Sequence, residues 1–289
     1  MHRGIRPTAT MLGAICCLYL GLSAATVMPA AEAAPAIKTL AQPVKAPASA
    51  RAASAIVTLT FDNSYESQFT NALPIMQKYK IKGTVFLETQ DMAEETTDGM
   101  FTMSWPQASQ WWQAGWELGS HSISNPDMTT LAGDQAEIEF GVSWALIAKH
   151  TEALPYAFAS PLGRFNDTLL AALHSLYGAH VATVEGTDTE PFAGFNHGDS
   201  VDPYRISRLL VMRDTPAKTI CDDVAWAVKE KLWLVLAFDQ VVPVPLTTDD
   251  GVYQVSTDTL TTIASCVAAE QARGTLKAEG IKQALTGTP

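Results

Sequence analysis

Five residues carry most of the chemistry this chain can offer: Asp62, Asn63, His121, Asn125 and Asp239. Each follows directly, or within a short loop, on an apolar run. Ile56-Val57-Thr58-Leu59-Thr60-Phe61 stops at Asp62-Asn63-Ser64, and Trp116-Glu117-Leu118-Gly119 stops at Ser120-His121-Ser122-Ile123-Ser124-Asn125. Trp233-Leu234-Val235-Leu236-Ala237-Phe238 stops at Asp239. A buried parallel strand delivers polar groups to the mouth of an α/β sheet or barrel in this way. Two acids could form an acid–base pair. One imidazole with two carboxylates could hold iron, manganese or zinc. Plainer roles stay open for each residue alone: Asp62 and Asn63 as helix caps, His121 as a hydrogen-bonded rim histidine, Asp239 as a turn residue.

The elements that would position these groups alternate along the chain. Apolar runs at 56–61, 83–87, 116–119, 157–159, 180–184, 209–212 and 232–238 predict strands. Helical signals lie between most of them. Pro74 opens a segment over 71–80, Ser104 and Gln107 form a capping box, and Asn166 or Asp167 caps 167–177 before Gly178. Thr215-Pro216 starts another helix, and Ser256 or Thr257 starts one running to about Arg273. About seven such units predict a parallel (β/α) barrel of distorted TIM-like form, with an open doubly wound sheet as runner-up. The barrel is favoured because Asp62, Glu88, His121, Ser160, Glu185 and Asp239 all follow strand ends, which in a barrel converge on one rim.

In order and spacing these segments resemble the polysaccharide deacetylases (the NodB-homology domain, carbohydrate esterase family four). Thr60-Phe61-Asp62-Asn63-Ser64 is similar to the family's Thr-Phe-Asp-Asp-Gly. Gly119-Ser120-His121-Ser122-Ile123-Ser124-Asn125-Pro126-Asp127-Met128 is similar to Gly-Ser-His-Ser-x-x-His-Pro-Asp-Leu. Phe158-Ala159-Ser160-Pro161-Leu162-Gly163 resembles the third motif, and the 233–241 segment resembles the last strand, which ends in a His in active members. The resemblance covers roughly residues 55–286. It implies metal-assisted hydrolysis of an acetyl group on a sugar, usually an N-acetyl amide, with carbohydrate as substrate or ligand.

Carried over position by position, the resemblance makes Asp62 the general base and His121 the first imidazole ligand. Asn63 stands at the ligand Asp, Asn125 at the second ligand His, and Asp239 at the acid His. Leu162 stands where a backbone N–H helps hold the oxyanion. A neutral amide is a poor zinc ligand, so the divalent metal of the family is expected to be weakly held. An ordinary Asp is ionised at neutral pH; only burial or a neighbouring carboxylate would let Asp239 donate a proton. Three functions follow: a deacetylase with a rebuilt His121–Asp62–Asp239 metal site, a glycan-binding pseudoenzyme, and a metal-free hydrolase using Asp62 and Asp239.

Composition bounds the setting. Arg3 and Arg6, the apolar 11–27 stretch and Ala31-Glu32-Ala33 read as a signal peptide over 1–33, against an uncleaved anchor helix. Residues 34–54, rich in Ala and Pro, read as a flexible linker before a single domain at 55–289. The protein is therefore expected to be secreted or periplasmic, with no membrane span after cleavage. The formal net charge of −11 argues against nucleic acid and suits neutral or cationic partners. Beyond residue 33 only Cys221 and Cys266 remain, without a Cys-x-x-Cys pair. They are a disulfide or two buried thiols; in the expected topology they lie on helices flanking the last barrel strand. Trp105, Trp111, Trp112 and Trp116 are read as helix-packing core rather than a sugar platform. The 185–204 loop, with Gly186, Asp188, Gly194, Gly198 and Asp199, is read as a lid or a plain surface loop, with His197 as a spare ligand.

Overall fold

The computed structural model describes residues 54–94, 101–184, 193–197 and 200–288. The expected signal peptide, nearly all of the expected linker, and Glu185, Gly186, Asp188, Gly198 and Asp199 of the expected lid lie outside them. In chain order the elements are β1 (Ala55–Phe61), α1 (Leu73–Tyr79), β2 (Thr84–Leu87), α2 (Trp105–Gln113), β3 (Glu117–Ser120), α3 (Gly133–Thr151), β4 (Ala157–Ala159), α4 (Asp167–Leu173) and β5 (Ala179–Val184). They continue with β6 (Phe195–Asn196), β7 (Ile206–Leu210), α5 (Ala217–Glu230), β8 (Trp233–Phe238), β9 (Gln240–Val242), β10 (Gln254–Ser256), α6 (Thr257–Ala272), β11 (Leu276–Ala278) and α7 (Ile281–Thr286).

Seven strands pair in parallel as β1-β2-β3-β4-β5-β7-β8, and β8 pairs back onto β1 from Ile56–Trp233 to Phe61–Phe238. That last pairing closes the barrel and rules out the open sheet. Strand β11 joins the start of β1, β6 adds a short antiparallel partner to β8, and β9 and β10 form a small parallel pair outside the barrel.

Alternation along the strands sorts side chains into two layers. Val57, Leu59 and Phe61 face outward into the helices, against Met76, Trp111 and Ile220 among others. Ile56, Phe86, Ala159, Val181, Trp233 and Val235 fill the interior, and Ile281 and Leu285 of α7 close its base. Phe86 lies across Gly119, where a Cβ would come within 2.5 Å of the ring. Burial on both faces explains why all seven residues of β1 are covered.

Most predicted strand boundaries hold within a residue. The exception is the strand expected at 209–212, which runs from Ile206 to Leu210. Ser207 and Arg208 interrupt its apolar pattern, yet Arg208 is fully buried. Helix α4 stops at Leu173, short of the expected Gly178 stop, and Asn166 caps its start by accepting from Leu169 N at 2.9 Å. The Ser104–Gln107 capping box is present, and Ser256 caps α6. Trp105, Trp111 and Trp116 are core, with Trp111 and Trp116 each 5.7 Å from Phe61; Trp112 departs from that reading, being 42% exposed. Cys221 on α5 and Cys266 on α6 form a disulfide with Cα atoms 5.9 Å apart. No helix of the described residues is long and apolar enough to cross a membrane.

Candidate active site

The turn after β1 puts two residues, Asn63 (φ 70°) and Ser64 (φ 53°), in the left-handed region. Such strain persists only where the surroundings over-determine it. Here Asp62 N donates to Phe238 O at 3.0 Å and Ser64 Oγ to Glu88 O at 2.9 Å. Gln68, in a π-helical turn before α1, donates Nε2 to both Asp62 O and Asp239 O. One buried amide thus staples the two acid-bearing strand ends.

The second motif is built similarly. His121 N donates to Leu87 O at 2.8 Å, and its ring Nδ1 lies 3.0 Å from Ala159 O. A carbonyl only accepts, so Nδ1 carries the proton and Nε2 keeps its lone pair. Burial, reinforced by Arg208 and opposed by Asp62, pulls the His121 pKa down and keeps the ring neutral. Glu139 of α3 grips the following loop, accepting from Ile123 N, Ser124 N and Ser124 Oγ at 2.8–3.0 Å. The loop ends with Asn125 at φ 55°. In the third motif Leu162 sits at φ 57°. Its turn is anchored by Ser160 Oγ donating to His180 Nε2, while His180 Nδ1 donates to Tyr204 O, both at 2.8 Å. Burial drops the His180 pKa to about 4, consistent with a neutral relay.

Asp62, Asn63, His121, Asn125, Leu162 and Asp239 all line one cleft of about 310 Å³. Ser160 reaches it too. Glu88 is not a lining residue: it supports the Ser64 turn through its carbonyl, and burial with Asp91 and Glu139 raises its pKa to about 7. His197 is exposed and does not line the cleft.

Two arrangements went unseen in the sequence. First, Arg208 reaches across the interior to grip Asp62 with both arms, Nη1 to Oδ1 at 2.7 Å and Nη2 to Oδ2 at 2.8 Å. Nη1 also donates to Thr60 Oγ1 at 2.9 Å, and the guanidinium lies 5.0 Å over the Phe86 ring. The small Ala159 belongs to the same interior layer as Phe86. A charged residue two places after Ile206 in a strand was the available signal. Second, Asn63 Nδ2 donates to Asp239 Oδ1 at 3.2 Å, and Asn125 Nδ2 donates to Asn63 Oδ1 at 3.1 Å. The result is a ladder of two amides ending on an acid. Burial first, then the Asp62 charge, raises the Asp239 pKa to about 7 against the opposing pull of Arg208 and Asn63. Asp239 is therefore a carboxyl able to hold a proton near neutrality.

The donor set does not fit a zinc-type ion. Asn63 has its carbonyl oxygen on Asn125 and its amide on Asp239, so both ends are engaged within the protein. Asn125 adds only a neutral oxygen, leaving His121 as the one strong ligand. The rebuilt His121–Asp62–Asp239 set fares no better, because both Asp62 oxygens are held by Arg208. Among the described residues no three His, Cys, Asp or Glu side chains are grouped to hold a metal ion.

The polysaccharide deacetylase family model matches residues 50–179. The chain is 27% identical over 131 residues to the putative polysaccharide deacetylase YxkH of Bacillus subtilis (strain 168), covering 45% of each protein. It is 33% identical over 85 residues to the peptidoglycan-N-acetylmuramic acid deacetylase PdaA of the same organism, covering 29% of this chain and 28% of the relative. It is 25% identical over 167 residues to a poly-β-1,6-N-acetyl-D-glucosamine N-deacetylase of Staphylococcus aureus (strain MSSA476), covering 55% of each. The matches thus span about half, or less, of these relatives' lengths. Among solved structures, the fold is similar to a T48 deacetylase with substrate (TM-score 0.52, 14% identity, 82% of this chain and 93% of that one). It is also similar to the Xyl-CE4 domain of a multidomain xylanase from the hindgut metagenome of Trinervitermes trinervoides (TM-score 0.50, 15% identity, 80% and 89%). Over residues 50–179 the chain matches the polysaccharide deacetylase family, and the closed seven-stranded barrel and the motif order agree with that likeness.

Proposed function

We propose that this protein binds carbohydrate in the deacetylase cleft and has lost metal-assisted hydrolysis. The observation that carries the reading is the Asp239–Asn63–Asn125 ladder, which stands where the resemblance calls for an anionic and an imidazole ligand. Metal-bound water is the nucleophile that such a site would need, and here Asn63 has both ends of its amide engaged by Asp239 and Asn125 instead. The family match over residues 50–179 and the relatives' names support a polysaccharide ligand. The N-terminal pattern supports export, with residues 1–33 as signal and the following stretch as a spacer.

One observation favours a second reading. The Asp239 pKa near 7 makes it a workable proton donor beside a fixed carboxylate. In a metal-free hydrolysis Asp62 would take a proton from water as it adds to the acetyl carbonyl. The Leu162 N–H would hold the oxyanion. Asp239 would then protonate the leaving amine as the C–N bond breaks, giving acetate and a free amine.

The test combines metal analysis of the purified protein with acetate release from acetylated chitooligosaccharides and xylan, with and without chelator. Oligosaccharide binding without acetate release supports the first reading. Release unaffected by chelator and lost in Asp239→Asn supports the second. Chelator-sensitive release with stoichiometric metal would overturn both.

A further inference from the structure

The polarity of the amide ladder is set by its acid end. A carboxylate accepts, so Asn63 turns its NH2 to Asp239 and its carbonyl to Asn125. Asn125 must then turn its own NH2 to Asn63, which leaves Asn125 Oδ1 buried with no partner. The His121 ring is fixed by the same logic: Nδ1 donates to Ala159 O, and Nε2 is left as an acceptor. Asp239 supplies further acceptor oxygens to the same cleft. Arg208, the cation whose charge reaches both Asp62 and Asp239, is fully buried, commits both arms to Asp62, and does not line the cleft. Two carboxylates therefore face a single guanidinium, and three acceptor-bearing side chains, His121, Asn125 and Asp239, line one cleft.

We propose that the cleft takes the ammonium group of a deacetylated amino-sugar polymer, held among His121 Nε2, Asn125 Oδ1 and the Asp239 carboxylate. This inference rests on the carbohydrate-binding reading above and names the chemical form of the ligand. An ammonium offers three donors and no acceptor, which complements this set. An acetamido group brings a carbonyl oxygen that these three acceptors cannot serve. The ligand's own positive charge takes the electrostatic place of a metal. Tyr65 and Tyr253, at the same cleft, give the sugar rings apolar faces with polar edges. The chain's net charge of −11 draws a polycationic glycan toward the protein and repels an anionic one.

Calorimetric titration of the full mature protein at about pH 7 tests this, using the β-1,4-linked tetramers of glucosamine and of N-acetylglucosamine, with tetralysine as a cationic control. Charge-assisted hydrogen bonds predict a roughly tenfold or greater preference for the glucosamine tetramer. Asp239→Asn, checked for folding by circular dichroism, should narrow that preference. Equal or tighter binding of the acetylated tetramer would overturn the inference and leave the carbohydrate reading standing. Binding of neither sugar would overturn both. Tetralysine binding as tightly as the glucosamine tetramer would overturn the glycan assignment.

Discussion

Replacing Arg208 with Met isolates the interaction that neutralises Asp62. The guanidinium is fully buried and Asp62 nearly so, and three hydrogen bonds join Arg208 to Asp62 and Thr60. Methionine keeps much of the length and apolar contact over Phe86 but leaves a buried carboxylate without its counter-charge. Breaking a buried pair by removing one partner costs about 3–5 kcal/mol. One feature moves the expectation toward the lower end: Arg208 Nε is itself buried without a partner, and the substitution removes that burden. For a domain of this size the loss translates to a fall in Tm of roughly 6–20 °C. Denaturant unfolding followed by circular dichroism, under non-reducing conditions, reads the change in midpoint at constant slope. The deficit should shrink in acid, where an unpaired carboxyl takes up a proton. The Asp62→Leu, Arg208→Met double variant should recover much of the loss, since paired apolar replacements often match a buried ion pair. A single Arg208→Met variant within about 1 kcal/mol of the parent would refute the reasoning.

Restoring Asn63→Asp together with Asn125→His should yield stoichiometric zinc after dialysis, read by elemental analysis, whereas the parent should lose it; zinc retained by the parent would count against the ladder as a metal-free arrangement. Asp239, whose folded pKa of about 7 lies above its ordinary value, should make the protein lose stability as pH rises from about 4 to 7. In that window the folded state holds more protons than the unfolded one; Asp239→Asn should flatten the slope, measured as Tm against pH, and an unchanged slope would remove Asp239 as its source. Thiol titration of the denatured, unreduced protein should find no free thiol at Cys221 or Cys266. With a sequence separation of 45, reducing that disulfide should lower stability by up to about 4 kcal/mol in the chain-entropy model.

Much of this architecture is local chemistry and so is legible along the chain. An apolar β-branched run ended by a polar residue marks a strand and its mouth, as at Phe61-Asp62 and Phe238-Asp239. Ser104 and Gln107 mark a helix start because capping involves only a few neighbouring residues. The placement of Cys221 and Cys266 on helices flanking the last barrel strand follows from element order alone. The pairings that set the character of the cleft are not local. Arg208 and Asp62 are 146 positions apart, Asn63 and Asp239 are 176 apart, and Gln68 reaches Asp239 across 171. They meet only because β8 returns to pair with β1 and closes the barrel. Residue types at 63 and 125 show amides where the resemblance calls for an anionic and an imidazole ligand. Closure decided how these side chains meet: burial and the adjoining Asp62 charge raise the Asp239 pKa to about 7, its ionised form can only accept, and two amides then align head to tail between it and the unpartnered oxygen of Asn125.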